Sequence, residues 1–152
     1  MSTDEWCTPK HIAEALGPFT TDPCSNKRSW IEATWRYRLD NHDEECRDGL
    51  QAAWRGSVFL NFPYSKPLPW CERARDHAGP WVVLAKLDPT TKWWAVLMEA
   101  MPTVAPFRKR LKFEGEQSMT ANFPSVLVYS AWRPPAALVP HLWLPSYAQR
   151  AA

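Results

Sequence analysis

The apolar run Val58-Phe59-Leu60 gives way to Asn61-Phe62-Pro63-Tyr64, a loop whose residue types suit one task. Asn61 offers a side-chain carbonyl oxygen, and the backbone carbonyl of Phe62 follows it. Pro63 restricts Phe62 to extended conformations, which fixes where that carbonyl points. The two oxygens can accept both hydrogens of an exocyclic amino group, while Tyr64 stacks on the ring that carries it. A base flipped out of a duplex is held in this way. Aromatic stacking contributes about 1–3 kcal/mol, set against the few kcal/mol that extrusion costs. An ordinary Asn-aromatic-Pro turn is spelled with the same letters, so the loop alone leaves both readings open.

Such a loop needs a fixed strand behind it. Ser57 to Leu60 reads as a strand, apolar without alternation and therefore buried on both faces. Trp81 to Leu84 and Ser125 to Tyr129 read the same way, Val104 to Phe107 as a third core strand, and Phe19-Thr20-Thr21 as a short β-prone run closed by Asp22-Pro23. Helices are expected after Thr8-Pro9, with Thr8 as N-cap, Pro9 at N1 and Gly17 as C-cap, and over Leu68 to His77 and Thr90 to Met101. A further helix is expected near residues 29–35, followed by a solvated acidic run, DNHDEECRD. Alternating strands and helices predict an α/β domain with a largely parallel sheet. Open sheets of this kind bind ligands at the C-terminal ends of their strands. Three proline-bearing loops fall there, Asp22-Pro23-Cys24-Ser25, Asn61-Phe62-Pro63-Tyr64 and Leu87-Asp88-Pro89-Thr90, and together they predict a single crevice.

Composition narrows the classes. A chain of 152 residues reads as one domain, with residues 131–152 as a proline-rich C-terminal segment. The net charge is +2, so a nucleic-acid footprint must come from a local cluster. Arg108-Lys109-Arg110-Leu111-Lys112 is the densest, with Lys66 and Lys92 as further candidates. No apolar run approaches the roughly 18–20 residues of a membrane span, and the polar, acidic start argues against a signal peptide. The four cysteines form no CxxC pair and the four histidines are scattered, which argues against a metal site and for reduced thiols in a cytoplasmic protein. The ten tryptophans read mainly as core filling. Neither GxGxxG nor GxxxxGK[ST] occurs, which removes the common dinucleotide and P-loop readings.

The loop resembles the (Asp/Asn/Ser)-Pro-Pro-(Tyr/Phe) motif of amino-methylating DNA methyltransferases, with Phe62 at the second position. From Glu5 to Tyr129 the chain resembles the small phage-type DNA N6-adenine methyltransferase family. The marks are Glu5-Trp6-Cys7-Thr8-Pro9, Thr21-Asp22-Pro23-Cys24-Ser25, Asp48-Gly49-Leu50 with Trp54, and Val58 to Tyr64. Lys92-Trp93-Trp94, Arg110-Leu111-Lys112-Phe113 and Phe123-Pro124-Ser125 follow in order. The resemblance implies a compact Rossmann-like fold that uses S-adenosylmethionine, in a bacterial or phage-infected cell. It assigns Trp6, Thr8 and Pro9 to the cofactor, with Thr8-Pro9 closing over its methionine end. Asp22, Pro23, Cys24 and Ser25 replace the glycine-rich first loop of typical methyltransferases. Asp48 accepts the cofactor's adenine amino group, with Leu50 beside it, and Asn61 to Tyr64 hold the target base of double-stranded DNA. Transfer is direct and in line, without metal.

Three other readings stand beside this one. The same loop suits N4 of cytosine. A non-catalytic DNA- or protein-binding relic of the fold would keep the same letters, as would, more remotely, a tryptophan-rich carbohydrate module. The length leaves little room for a separate recognition domain, which predicts loose specificity or help from a second subunit in a homodimer.

Overall fold

The computed structural model describes residues 7–38, 48–113, 119–120 and 123–145. Trp6 and most of the acidic run, residues 40–47, lie outside them. In chain order the elements are α1 (Lys10–Leu16), β1 (Phe19–Asp22), β2 (Ala33–Arg36), β3 (Val58–Leu60), α2 (Leu68–Asp76), β4 (Trp81–Lys86), α3 (Lys92–Met98) and β5 (Thr103–Pro106). They continue with β6 (Lys112–Phe113), β7 (Met119–Thr120), β8 (Ser125–Tyr129) and a 3-10 turn at Val139–His141.

Six strands form one sheet in the order β2-β1-β3-β4-β8-β5, and β6 pairs with β7 in a separate ribbon. β1 pairs in parallel with β2 and β3, and β3 with β4. β8 is antiparallel to both β4 and β5. β5 therefore runs the same way as β4, and β8 alone opposes the rest. The sheet is mixed and mostly parallel, as the alternation of elements predicts.

The central strands are apolar but for Lys86 and Ser125 at their ends, because both faces are covered. β3, β8 and the first five residues of β4 are buried at every position. On one face Val82, Leu84, Leu127 and Tyr129 meet Ile12, Ala13 and Leu16 of α1. On the other, Val83, Ala85, Val126 and Val128 meet Trp70, Cys71 and Ala74 of α2 and Trp93 and Leu97 of α3. Residues 131–145 belong to the α1 face. Leu138, Leu142 and Leu144 are buried there, Trp132 stacks on Phe19 at 6.4 Å, and the Trp143 N–H donates to the Pro106 carbonyl at 2.8 Å.

Three local expectations are corrected. Residues near 29–35 form no helix; Ala33–Arg36 is an extended edge strand in register with β1, Asp22 opposite Arg36. Trp30 and Trp35 are both exposed there, so their spacing reflects no helical stripe. Thr8 is not the N-cap of α1. Pro9 holds that position in an extended conformation, and its carbonyl accepts from Ile12 and Ala13 at 3.0 and 2.9 Å. α3 is shorter than Thr90 to Met101, because Thr91 caps it, its hydroxyl accepting from the Trp94 N–H at 3.3 Å.

Candidate active site

The strand order reverses at β1. The chain passes from β1 to β2 on one side, then returns to set β3 on the other. Crevices open at such a switch point, outside the C-terminal ends of the strands. Here it is a small cleft, open to solvent, with a cavity volume of about 20 Å³. Cys7 and Thr8 enter it from the segment before α1, and Asp22, Cys24 and Ser25 from the loop after β1. Asn26 and Ser29 follow, and Phe59 and Asn61 close the β3 side. Whole small-molecule sites enclose about 300–1,000 Å³, so this cleft could hold only a part of a cofactor-sized ligand.

Asp22 is the charged group of the cleft, at 2% exposure. Burial pushes its carboxyl up to about 7, outweighing the Cys24 N–H that it accepts at 3.3 Å, the Arg36 charge and the Ser25 hydroxyl. Arg36 sits behind the loop, donating to the Ser25 hydroxyl at 3.3 Å and to the carbonyls of Asn26 and Ser29 at 3.3 and 3.2 Å. One guanidinium on β2 thus fixes the curve of the loop that follows β1.

The Asp48-Gly49-Leu50 turn presses against the same loop. A Cβ on Gly49 would lie 1.6 Å from the Pro23 carbonyl oxygen, so only glycine allows the approach. Asp48 Oδ1 accepts from the Leu50 N–H at 2.9 Å, Trp54 Nε1 donates to the Gly49 carbonyl at 2.7 Å, and Arg73 of α2 donates to the Leu50 and Ala52 carbonyls. Asp48 and Leu50 therefore stand beside the cleft, not in its lining. Pro9 and Pro23 are buried behind their cleft-lining neighbours Thr8 and Cys24.

Asn61 and Phe62 part company at the end of β3. Asn61 lines the cleft with Phe59. Phe62 is 2% exposed and turns to the helix face, with its ring 5.1 Å from Trp93 and 5.3 Å from Tyr64. Tyr64 is anchored through its hydroxyl, which accepts from the Lys86 N–H at 2.8 Å, and burial raises the pKa of that hydroxyl. Pro63 is half-buried between them.

The third expected loop does not join the crevice. Asp88 Oδ1 accepts from the Thr90 N–H and hydroxyl at 3.1 and 2.5 Å, which shapes the entry to α3 instead. The basic candidates do lie at the same end of the sheet. Lys66 follows β3, Lys92 follows β4, and residues 108–112 follow β5, all strands of one direction. Lys66, Lys92, Lys109, Arg110 and Lys112 are exposed. Arg108 is exposed too, but its guanidinium lies 3.9 Å from the Trp143 ring and donates to the Leu142 carbonyl at 2.9 Å, which ties it to the C-terminal segment.

No site role was assigned from sequence to Cys7, Asn26, Ser29, Phe59, Arg36 or Lys86. Arg36 and Lys86 become visible only through strand register, and Asn26 and Ser29 only once the loop after β1 curls back.

An open, mostly parallel sheet with a polar cleft at its switch point is the architecture in which α/β proteins bind their ligands. The family model for DNA N-6-adenine-methyltransferases (Dam) matches residues 1–143, and the chain belongs to that family. Membership implies transfer of a methyl group from S-adenosylmethionine to N6 of adenine in DNA. No individual curated protein and no solved structure shows a significant match. Among the described residues no helix is long and apolar enough to cross a membrane.

Proposed function

We propose that the cleft holds S-adenosylmethionine against Asp22, Ser25 and Thr8, and that Asn61 to Tyr64 hold the target adenine beside it. The observation that carries this reading is the meeting of Thr8, Asp22, Cys24, Ser25 and Asn61 in one cleft. The donor set suits the cofactor. A buried carboxyl near its midpoint favours a ligand that brings positive charge, and the hydroxyls of Thr8 and Ser25 serve its polar groups. When bound, the cofactor supplies an electrophilic methyl on a positively charged sulfur.

The rest is work for the chain. Asn61 Oδ1 and the Phe62 carbonyl accept the two hydrogens of the adenine amino group. That draws the nitrogen lone pair out of conjugation with the ring and stabilises the positive charge that grows on nitrogen. Holding nitrogen and methyl near contact distance removes most of the entropic barrier. The exposed Lys66, Lys92, Lys109, Arg110 and Lys112 meet phosphates of the duplex and set its position without reading sequence.

Calorimetric titration with S-adenosylmethionine and tritiated-methyl transfer to unmethylated duplex DNA test the reading. Binding near one to one and labelled N6-methyladenine, identified by nucleoside mass spectrometry, are the expected results. Absence of both binding and transfer sinks it, and labelled N4-methylcytosine replaces the base.

A further inference from the structure

Lys86 is the last residue of β4, at the sheet edge that carries the cleft. Alternation along β4 sets it on the α1 face with Val82 and Leu84, and Asn61 follows Phe59 on that same face. The register that pairs Leu60 with Val83 puts Lys86 on the strand beside Asn61, just beyond it. Its ammonium lies 4.5 Å from the centroid of the Tyr64 ring and 4.7 Å from that of Phe123. Those two rings meet at 74°, so the ammonium fills the corner between them. Tyr64 cannot swing away readily, because its hydroxyl accepts from the Lys86 N–H.

A base that stacks on Tyr64 needs a ring face at van der Waals distance. The ammonium, 4.5 Å from the ring centroid, stands in that space. We propose that Lys86 gates the base site: in the free protein its ammonium covers the stacking face of Tyr64 and leaves before a base enters. The proposal rests on the reading of Asn61 to Tyr64 as the base-holding loop. Its consequence is selectivity. A base must offset the lost cation–π contacts, and one that presents an amino group to Asn61 and the Phe62 carbonyl does so more fully than one that lacks it.

Anisotropy of end-labelled single-stranded oligodeoxyadenylate tests this without a target sequence, since no base has to be flipped. Removing a positive charge by itself weakens DNA binding, whereas removing a gate strengthens it. The Lys86→Met variant keeps the stem and loses only the charge, and Lys86→Gln is the second variant. Both are expected to bind about five- to thirtyfold more tightly than the wild type, the range set by two displaced cation–π contacts. Their preference for oligodeoxyadenylate over oligothymidylate should narrow. Equal or weaker binding by both variants, or no binding by any of the proteins, overturns the gate. Asn61→Ala separates the two failures. If it weakens binding while both Lys86 variants match the wild type, only the gate falls. If it binds like the wild type, the base-holding reading falls with it.

Discussion

The two sides of the sheet at the end of β3 differ in polarity and in packing. On the α1 side lies the open polar cleft with Asp22, Ser25 and Asn61. On the helix side the Phe62 ring packs 5.1 Å from Trp93, and Tyr64 stands at the edge between the faces, 5.3 Å from Phe62 and 6.4 Å from Phe123. One peptide bond separates Asn61 from Phe62, and the pleat of the strand sends adjacent side chains to opposite faces. This explains how the loop carries phenylalanine where the family motif has proline. On the proposed reading the site asks residue 62 for a carbonyl, which is backbone, while the side chain belongs to the other face. The exchange swaps a rigid ring in the main chain for a buried aromatic contact.

Substitutions at the two neighbours should therefore fail in different ways. Phe62→Ala removes a buried ring and should cost about 3–5 kcal/mol of stability, read by chemical denaturation. Asn61→Ala should lower kcat by about 10²–10³-fold, the usual loss for one preorganised hydrogen-bonding partner of a developing charge. Its melting temperature and its calorimetric affinity for S-adenosylmethionine should stay close to wild type. Phe62→Pro restores the motif letter and is expected to lose stability like the alanine variant without any gain in kcat. A stable and faster Phe62→Pro enzyme would break the division between the faces.

How much of this was legible depends on which force sets each element. β3, β4 and β8 announce themselves as unbroken apolar runs because burial on both faces demands it. α1 was bounded correctly at Gly17, whose φ of 83° suits glycine. β2 was not legible. It is a half-exposed edge strand held by pairing with β1, and nothing in its own pattern states that partnership. Arg36 was lost with it, since its place behind the Asp22 loop follows from register. Lys86 was hidden for a related reason: the rings it covers, Tyr64 and Phe123, stand 22 and 37 positions from it in the chain (86 − 64 and 123 − 86). The proline-rich end was unreadable because Leu138, Leu142 and Leu144 find their partners only on the assembled α1 face.

The cleft also carries a pH dependence. Asp22 has its folded pKa raised from 3.8 to about 7. The native state then binds the proton more tightly than the unfolded chain, so stability falls as pH rises from about 4 to 7 and levels off above. The shift corresponds to at most about 4 kcal/mol, and about half that once relaxation around the buried group is allowed for. Asp22→Asn should remove the decline. The variant is expected to be about 2 kcal/mol more stable than the wild type at pH 8, with the difference closing toward pH 4. Its affinity for S-adenosylmethionine should drop, while wild-type affinity rises with pH through 7 as the carboxylate forms. Denaturation and calorimetry across that window check both signs. A variant that binds as well as the wild type at pH 8 would move the cofactor's charge away from Asp22.

The smallest effect separates the basic residues of one short segment. Lys109, Arg110 and Lys112 are exposed, whereas Arg108 spends its guanidinium on Trp143 and the Leu142 carbonyl. Replacing the first three by alanine should flatten the dependence of duplex binding on salt, since each lost phosphate contact removes about 0.9 from the slope of log K against log salt. Stability should stay within about 0.5 kcal/mol of wild type, as expected for solvated side chains. Arg108→Ala should do the reverse. It forfeits a cation–π contact and a hydrogen bond, about 1 kcal/mol together, and leaves the salt slope alone. A steeper change in that slope for Arg108→Ala than for the triple variant would mean that Arg108 leaves Trp143 when DNA arrives. The C-terminal segment would then be part of the DNA interface rather than only a cover for the α1 face.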